Sequence, residues 1–354
     1  MAQALRLAER GLYSASPNPR VGCVLVRNGN VVGEGWHERA GEPHAEAHAL
    51  RAAGEAARGA TAYVTLEPCS HQGRTPPCAD ALIEAGVARV VAAVHDPNPQ
   101  VAGQGIAKLR AAGVEVECGL METAARELNI GFFARMTRDM PWVRSKIAAS
   151  LDGRTALNNG ESKWITGEAA RQDVQQWRAR SCAVLTGIGT VLADDPQLSV
   201  RGIATTRQPL RAVVDNALRL PPKARLLQQR GVMVYTATHD AEKVGVLEQA
   251  GACVMVLPDA SGQVNMAVVL RDLAAQGCNE VLVEAGGKLN GALFKEGLVD
   301  ELVLYLAPQL LGDMARGMAR LGELTSLDQR IELEWKDVRH VGRDLRIVAR
   351  VKKG

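Results

Sequence analysis

His44-Ala45-Glu46, Pro68-Cys69 and Pro77-Cys78 form the sharpest chemical pattern in the sequence. One imidazole and two thiolates make a soft three-ligand set suited to Zn²⁺, and three protein ligands leave the fourth tetrahedral position open. Glu46 stands two residues from His44 and outside the ligand set. That division of roles suits hydrolytic deamination, in which a metal activates a water toward an amino-bearing ring carbon while a glutamate shuttles the protons. The spacing imposes a geometric condition. Residues i and i+2 of a regular helix point to nearly opposite sides, so His44 must sit at the very start of its helix, an entry that Pro43 fits. Cys78 precedes the apolar run 79–85, and a helix N-terminus there would favour a thiolate. Eight residues, 70–77, separate the two cysteines, where the common deaminase pattern is Pro-Cys-x-x-Cys. The competing reading is a structural zinc site, or three core side chains that never meet.

Short β-like runs must carry these residues. Segments 21–26 and 31–34 flank Asn28-Gly29, a dipeptide that tolerates the positive φ of a tight hairpin. Helices are expected at the N-terminus and over 45–57, 79–85, 105–112 and 122–136, with strands over 60–66, 87–94 and 114–117. After Pro141, which disfavours helical continuation, the alternation restarts. Strands are expected over 143–149, 182–186, 211–215, 232–236, 253–257, 280–283, 302–306, 331–338 and 344–351. Helices are expected over 168–179, 243–249, 268–276 and 289–295. Both halves read as layered α/β domains, 1–140 and 141–354.

A chain of 354 residues with 47% apolar and 23% charged content has material for two cores and no bias toward disorder. The net charge of +3 and an aromatic content of 3% argue against a nucleic-acid-editing protein, which needs a basic groove interleaved with aromatics. No apolar stretch approaches the roughly 18 residues that span a bilayer. The N-terminus reads as a helix rather than a signal peptide, so a cytoplasmic location is expected. Seven cysteines, an odd count, argue against a disulfide framework; Cys23, Cys118, Cys182, Cys253 and Cys278 lie in or beside apolar runs and are expected as core thiols. His48, four residues after His44, is left beside the site or on the surface.

In the second half Gly187-Ile188-Gly189 follows a strand but lacks the rest of a dinucleotide fingerprint. Residues 281–289, a strand, a glycine pair and a helix start, make either a phosphate cradle of backbone N–H groups or a tight structural turn. Lys146 is a charge inside an apolar run.

Longer stretches carry a resemblance. Pro17-Asn18-Pro19, Gly41-Glu42-Pro43-His44-Ala45-Glu46, Thr65-Leu66-Glu67-Pro68-Cys69-Ser70-His71 and Gly73-Arg74-Thr75-Pro76-Pro77-Cys78, then Asp96-Pro97-Asn98-Pro99, Ala149-Ser150-Leu151-Asp152-Gly153-Arg154, Trp164-Ile165-Thr166 and Leu192-Ala193-Asp194-Asp195-Pro196, run through nearly the whole chain. The set resembles the bifunctional deaminase/reductase of riboflavin biosynthesis, which carries the long insert between its cysteine ligands. The resemblance implies an N-terminal three-layer α/β/α cytidine-deaminase-like domain and a C-terminal dihydrofolate-reductase-like α/β domain. The first would deaminate 2,5-diamino-6-ribosylamino-4(3H)-pyrimidinone 5′-phosphate; the second would reduce the ribosyl group to ribityl with NADPH. It implies His44, Cys69 and Cys78 as zinc ligands, Glu46 as proton carrier, and Asn18 as a pocket residue. NADPH contacts would be Ala148, Trp164, Thr190, Asp194, Asn216, Gly286, Gly287, Lys288 and Leu289. Lys146, Ser162, Arg178, Leu198, Arg201 and Glu284 would meet the substrate, the two arginines being suited to phosphate. His71 and Arg74, inside the insert, could meet the substrate phosphate or lie in a solvated loop. Gln104 stands where the pattern has arginine. A homo-oligomer is expected, with no nucleic-acid or membrane partner. A cytidine or guanine deaminase fused to an unrelated reductase is the alternative enzyme.

Overall fold

Asn28 and Gly29 both take positive φ, 51° and 77°, and strand β1 (Gly22–Arg27) folds back antiparallel on β2 (Asn30–Trp36). A computed structural model describes residues 1–70, 76–99 and 101–353, which divide into units Met1–Met140 and Pro141–Gly354. In the first unit β1 also pairs antiparallel with β3 (Thr61–Val64), and β4 (Arg89–Ala92) and β5 (Glu115–Cys118) follow in parallel. The order is β2-β1-β3-β4-β5.

Strand alternation builds the layers. Along β1, Val24 packs on one face with Ala4 and Leu7 of α1 (Ala2–Glu9), while Cys23 and Leu25 pack on the other. That second face receives α2 (Ala45–Ala53), α3 (Cys78–Glu84) and α4 (Gln104–Ala111) through Ala45, Ala49, Ala79, Leu82 and Leu109. Helices α5 (Glu122–Leu128) and α6 (Ile130–Arg138) cluster with Leu5 of α1 through Ala125, Phe132 and Phe133. Helix α2 lies directly on β2 because Gly33 and Gly35 carry no side chain there. A Cβ on either would come within 2.2 Å of Ala49 O or 2.4 Å of Ala45 O.

The single helix expected over 122–136 is broken at Asn129. Its side chain, 1% exposed, accepts from Arg20 N–H at 2.8 Å and donates to Arg20 O at 2.9 Å, so the residue serves the chain entering β1 instead of continuing a helix. The helix expected over 45–57 ends at Ala53, where Gly54 takes φ 52° and the last residues form a 3₁₀ turn.

In the second unit β6 (Trp142–Ser150) and β7 (Arg154–Ala156) precede α7 (Glu168–Arg180), β8 (Ala183–Gly187), α8 (Ile188–Asp194), β9 (Leu210–Val214) and β10 (Val232–Thr236). Then come α9 (Ala241–Gln249), β11 (Ala252–Val256), α10 (Met266–Ala275), β12 (Glu280–Val283), α11 (Gly287–Lys295) and β13 (Glu301–Ala307). The chain closes with β14 (Arg316–Gly317), β15 (Leu333–Val341) and β16 (Asp344–Val351). The large sheet has the order β11-β10-β9-β8-β12-β6-β13-β16-β15, parallel from β11 to β13 and antiparallel beyond. Val281 and Val283 of β12 join α10 and α11 on one face, whereas Leu282 turns to the other. Helix α8 has no counterpart in the sequence reading, because Ile188 and Val191 give it only a one-turn apolar stripe.

Two of the five cysteines expected in the core are exposed: Cys118 on β5 and Cys253 on β11. Each sits on the edge strand of its sheet, where one side has no neighbouring strand. Cys23, Cys182 and Cys278 are buried. Among the described residues no helix is long and apolar enough to cross a membrane.

Candidate functional site

His44 is the N-cap of α2 with extended backbone, φ −76° and ψ 167°, and Cys78 is the first residue of α3. Standing outside the helix frees His44 from the i, i+2 restriction. Cys69 follows β3 on the chain that leads away from the sheet. The ligand atoms of His44, Cys69 and Cys78 lie within 4.8 Å of one another: His44 Nδ1 is 3.3 Å from Cys78 Sγ and 3.6 Å from Cys69 Sγ. The Cys78 N–H donates to Cys69 Sγ at 3.3 Å.

The electrostatics match a cation site. The Cys78 thiol donates to Cys69 and pulls its pKa down to about 4, with His44 adding to the effect against burial. Cys78 is pushed up by the same hydrogen bond, by burial and by Glu46. The two sulfurs thus compete for protons at one point, and a divalent ion bound there would displace them. His44 is raised, chiefly by its hydrogen bond to Cys69. Glu46, on the first turn of α2 and 3% exposed, is raised by burial and then by the Cys69 charge. Two sulfurs and an imidazole nitrogen converging within 4.8 Å of one another fit zinc.

Asn18 reaches the same neighbourhood through His37, a residue the sequence reading did not single out. His37 is 2% exposed and its ring stands edge-on to His44 at 5.2 Å. Burial lowers the His37 pKa. A neutral ring donates from Nδ1 to Pro43 O at 3.2 Å and leaves Nε2 to accept from Asn18 Nδ2 at 3.0 Å. His48 Nε2 is buried without a hydrogen-bond partner. Gln104 is exposed at the start of α4. His71 and Arg74 lie outside the described residues.

In the second unit the sheet itself marks a place. Adjacent strands β8 and β12 feed helices on opposite faces: α8 packs with Val213 and Val234, α11 with Val281 and Val283. Such a topological switch opens a crevice at the carboxyl ends of the strands, where α/β sheets bind ligands. Thr190 and Asp194 on α8 and Gly286, Gly287, Lys288 and Leu289 at the start of α11 all belong to this end. Leu289 packs against Gly187, the N-cap of α8, so the two helix starts are neighbours. Gly286 is open to its surroundings, whereas a Cβ on Gly287 would meet Gly317 O at 2.6 Å. The first glycine leaves room for a ligand and the second is required by packing.

Glu284 directly follows β12, and Arg178 of α7 grips it with Nε at 2.5 Å and Nη2 at 3.0 Å. Burial alone would raise the Glu284 carboxyl, but Arg178, Lys146 and Arg201 overcome that and hold it at about 2. Lys146 is lowered by burial, with Glu284 opposing. Ala148 is two residues along β6 from Lys146 and so on the same side of the strand. Arg201 is exposed, and its N–H donates to Gln175 at 3.0 Å.

Other expected residues are engaged with the protein. Leu198 is 2% exposed and packs with Val184 and Leu282 in the core. Asn216 accepts from Val264 N–H at 3.0 Å and donates to Gln263. Asp194 pairs with Lys163 at 3.2 Å, and Ser162, next to Lys163, is partly exposed. Trp164 is 66% exposed with the Arg171 guanidinium 4.6 Å over its ring, a braced flat surface. The switch point at Gly187 and the Arg171 brace had no sequence signature beyond a weak Gly-x-Gly.

Both halves of the chain match known protein families. Residues 1–94 match the family described as the cytidine and deoxycytidylate deaminase zinc-binding region, and residues 141–347 match the RibD C-terminal domain. The chain is 50% identical over 357 residues to the riboflavin biosynthesis protein RibD of Escherichia coli strain K12, covering 98% of this chain and 96% of that one. It is 46% identical over 365 residues to its namesake in Haemophilus influenzae, covering 98% and 95%. The solved structure of Acinetobacter baumannii RibD, form 1, superposes with a TM-score of 0.92 at 48% identity, covering 99% of this chain and 98% of that one. A diaminohydroxyphosphoribosylaminopyrimidine deaminase/5-amino-6-(5-phosphoribosylamino)uracil reductase from Thermotoga maritima superposes with a TM-score of 0.88 at 34% identity, covering 99% and 97%.

Proposed function

The chain belongs to the RibD family of riboflavin-biosynthesis proteins, and from that premise we propose that its two units act in turn on one phosphorylated pyrimidine. It is a bifunctional deaminase/reductase of riboflavin-pathway pyrimidine intermediates, with a cytidine-deaminase-like zinc domain and a dihydrofolate-reductase-like α/β domain. We assign residues 1–140 to hydrolytic deamination of 2,5-diamino-6-ribosylamino-4(3H)-pyrimidinone 5′-phosphate. Residues 141–354 we assign to NADPH-dependent reduction of its ribosyl group to ribityl.

The convergence of His44, Cys69 and Cys78 beside the buried Glu46 carries the first assignment. These three side chains would hold zinc, which when bound supplies Lewis acidity at the position they leave free. Glu46 is the proton carrier. Its raised pKa suits a carboxyl that takes the two protons of the attacking water in turn and delivers one to the ring nitrogen and the other to the departing amine. Asn18, its amide held by His37, orients the ring. In the second unit NADPH, when bound, supplies the reducing equivalents. The open turn at Gly286, with Thr190, Asp194 and the face of Trp164, offers the surfaces to seat it. Arg178, Lys146 and Arg201 outnumber Glu284 in charge, and this excess suits a sugar phosphate. Lys146 and Glu284 then bracket the sugar while the cofactor is held in line.

Supplying the diaminopyrimidinone phosphate with and without NADPH tests the pair of assignments. Ammonia release in both cases, with NADPH consumed only after it, is the expected result. Turnover of free cytidine or guanine instead would overturn the substrate assignment.

A further inference from the structure

Glu67 lies two residues before Cys69, is 3% exposed, and has no part in the chemistry above. Its carboxylate collects donors from a separate stretch of chain. Oε2 accepts from the N–H groups of Asp96 at 3.2 Å and Gly103 at 3.0 Å and from His95 Nδ1 at 3.3 Å. Oε1 accepts from the N–H groups of Gly105 at 3.0 Å and Ile106 at 3.2 Å. Gly105 and Ile106 are the second and third residues of α4, whose N-cap, Gly103, has no side chain. The open N–H groups of a helix start are ordinarily met by the cap residue itself. Here the cap is delivered by a carboxylate 36 residues away in sequence. The same contact is closed sterically, since a Cβ on Gly105 would come within 1.9 Å of Pro68 O. The Glu67 N–H, donating to Val94 O at 2.9 Å, completes the clamp.

We propose that Glu67 is a positioning residue for the metal centre: it fixes the chain at Pro68 against the start of α4, and so sets where the Cys69 sulfur stands. The proposal rests on the zinc assignment above. A glutamine at this position keeps the length but offers one acceptor oxygen and turns an NH₂ toward N–H donors, so part of the clamp opens.

Zinc competition against a chelator, on full-length variants shown by circular dichroism to be folded, reads the effect directly. Glu67→Gln should weaken zinc about tenfold to a hundredfold, the range for partners that orient a ligand, and should shift the absorption spectrum of the cobalt-substituted protein. Gly105→Ala, which presses on Pro68 from the other side, should act in the same direction. Leu109→Ala, one turn further along the same helix with an apolar side chain packed in the core rather than bonded to the carboxylate, serves as the comparison. It should lower the melting temperature through a cavity yet leave zinc affinity as in the parent. Unchanged zinc affinity in Glu67→Gln, or an equal loss in Leu109→Ala, overturns the proposal. Failure of the unmutated protein to bind zinc would instead overturn the zinc assignment. Should Glu67→Gln not fold, amide exchange on the unmutated protein decides. Removing zinc should speed exchange at Gly103, Gly105 and Ile106 about tenfold through reciprocal coupling, and unchanged exchange there overturns the proposal.

Discussion

The two sites solve opposite electrostatic problems. In the first unit two sulfurs, an imidazole and a carboxyl are crowded together, and the crowding is relieved by sharing protons: Cys69 is lowered, Cys78 and Glu46 are raised. In the second, Arg178, Lys146 and Arg201 surround one carboxylate, Glu284, and the relief comes from ion pairing. A surplus of donors to metal invites a cation, whereas a surplus of positive charge invites phosphate. The comparison also separates how each site fails. Protons and a metal ion exchange with solvent, but a buried guanidinium cannot neutralise itself.

The largest expected effect falls on the first site. Glu46→Gln should reduce ammonia release by about 10²–10⁴-fold, the usual worth of a proton carrier, with zinc content retained and the reductase step retained when the already deaminated intermediate is supplied. Loss of both activities together would mean that the carboxyl supports structure rather than proton transfer. In the second unit, Arg178→Ala strands Glu284, and removing one member of a buried pair costs about 3–5 kcal/mol. Urea denaturation would show it, and Arg178→Lys should recover only part because an ammonium cannot reproduce the two-pronged grip.

Acid sharpens the contrast further. Glu284 is held at about 2 in the folded chain against an ordinary 4.5, so its stabilising effect is complete above the ordinary value and is lost as pH falls toward 2. The difference is on the order of 3 kcal/mol. Denaturation midpoints near neutrality and near pH 3 should converge for Glu284→Gln more than for the unmutated chain, and parallel curves would contradict the ion-pair account. Smaller still is Trp164→Ala. With the ring 66% exposed, stability should change by less than about 1 kcal/mol, while NADPH binding measured by fluorescence titration should weaken several-fold. Serine at Cys118 or Cys253 should alter neither zinc content nor stability by more than about 0.5 kcal/mol.

Legibility in the sequence followed the range of the interactions. His44, Cys69 and Cys78 could be read because each directly follows a proline, and for His44 and Cys78 that proline marks a helix entry, a local signal that the structure places at the starts of α2 and α3. The hairpin at Asn28-Gly29 was local in the same way. The grip of Arg178 on Glu284 spans 106 residues and exists only because α7 and the end of β12 are brought together by the sheet. Asn129 breaks a helix of good propensity for the sake of a partner 109 residues upstream. The donors on Glu67 are mostly backbone N–H groups, which leave no residue type to recognise. Edge position, likewise, is a property of strand order, which is why Cys118 and Cys253 were misread as core thiols.

Gly33 and Gly35 perform no chemistry, yet they decide how near α2 can come to β2, and His44 caps that helix while Glu46 rides on its first turn. Variation that lengthens a side chain at either position would lift the helix and carry a metal ligand and a proton carrier with it. The deaminase pocket is therefore tunable from outside itself: an engineer seeking room for a bulkier ring would alter the seat beneath the helix before touching any residue that reacts.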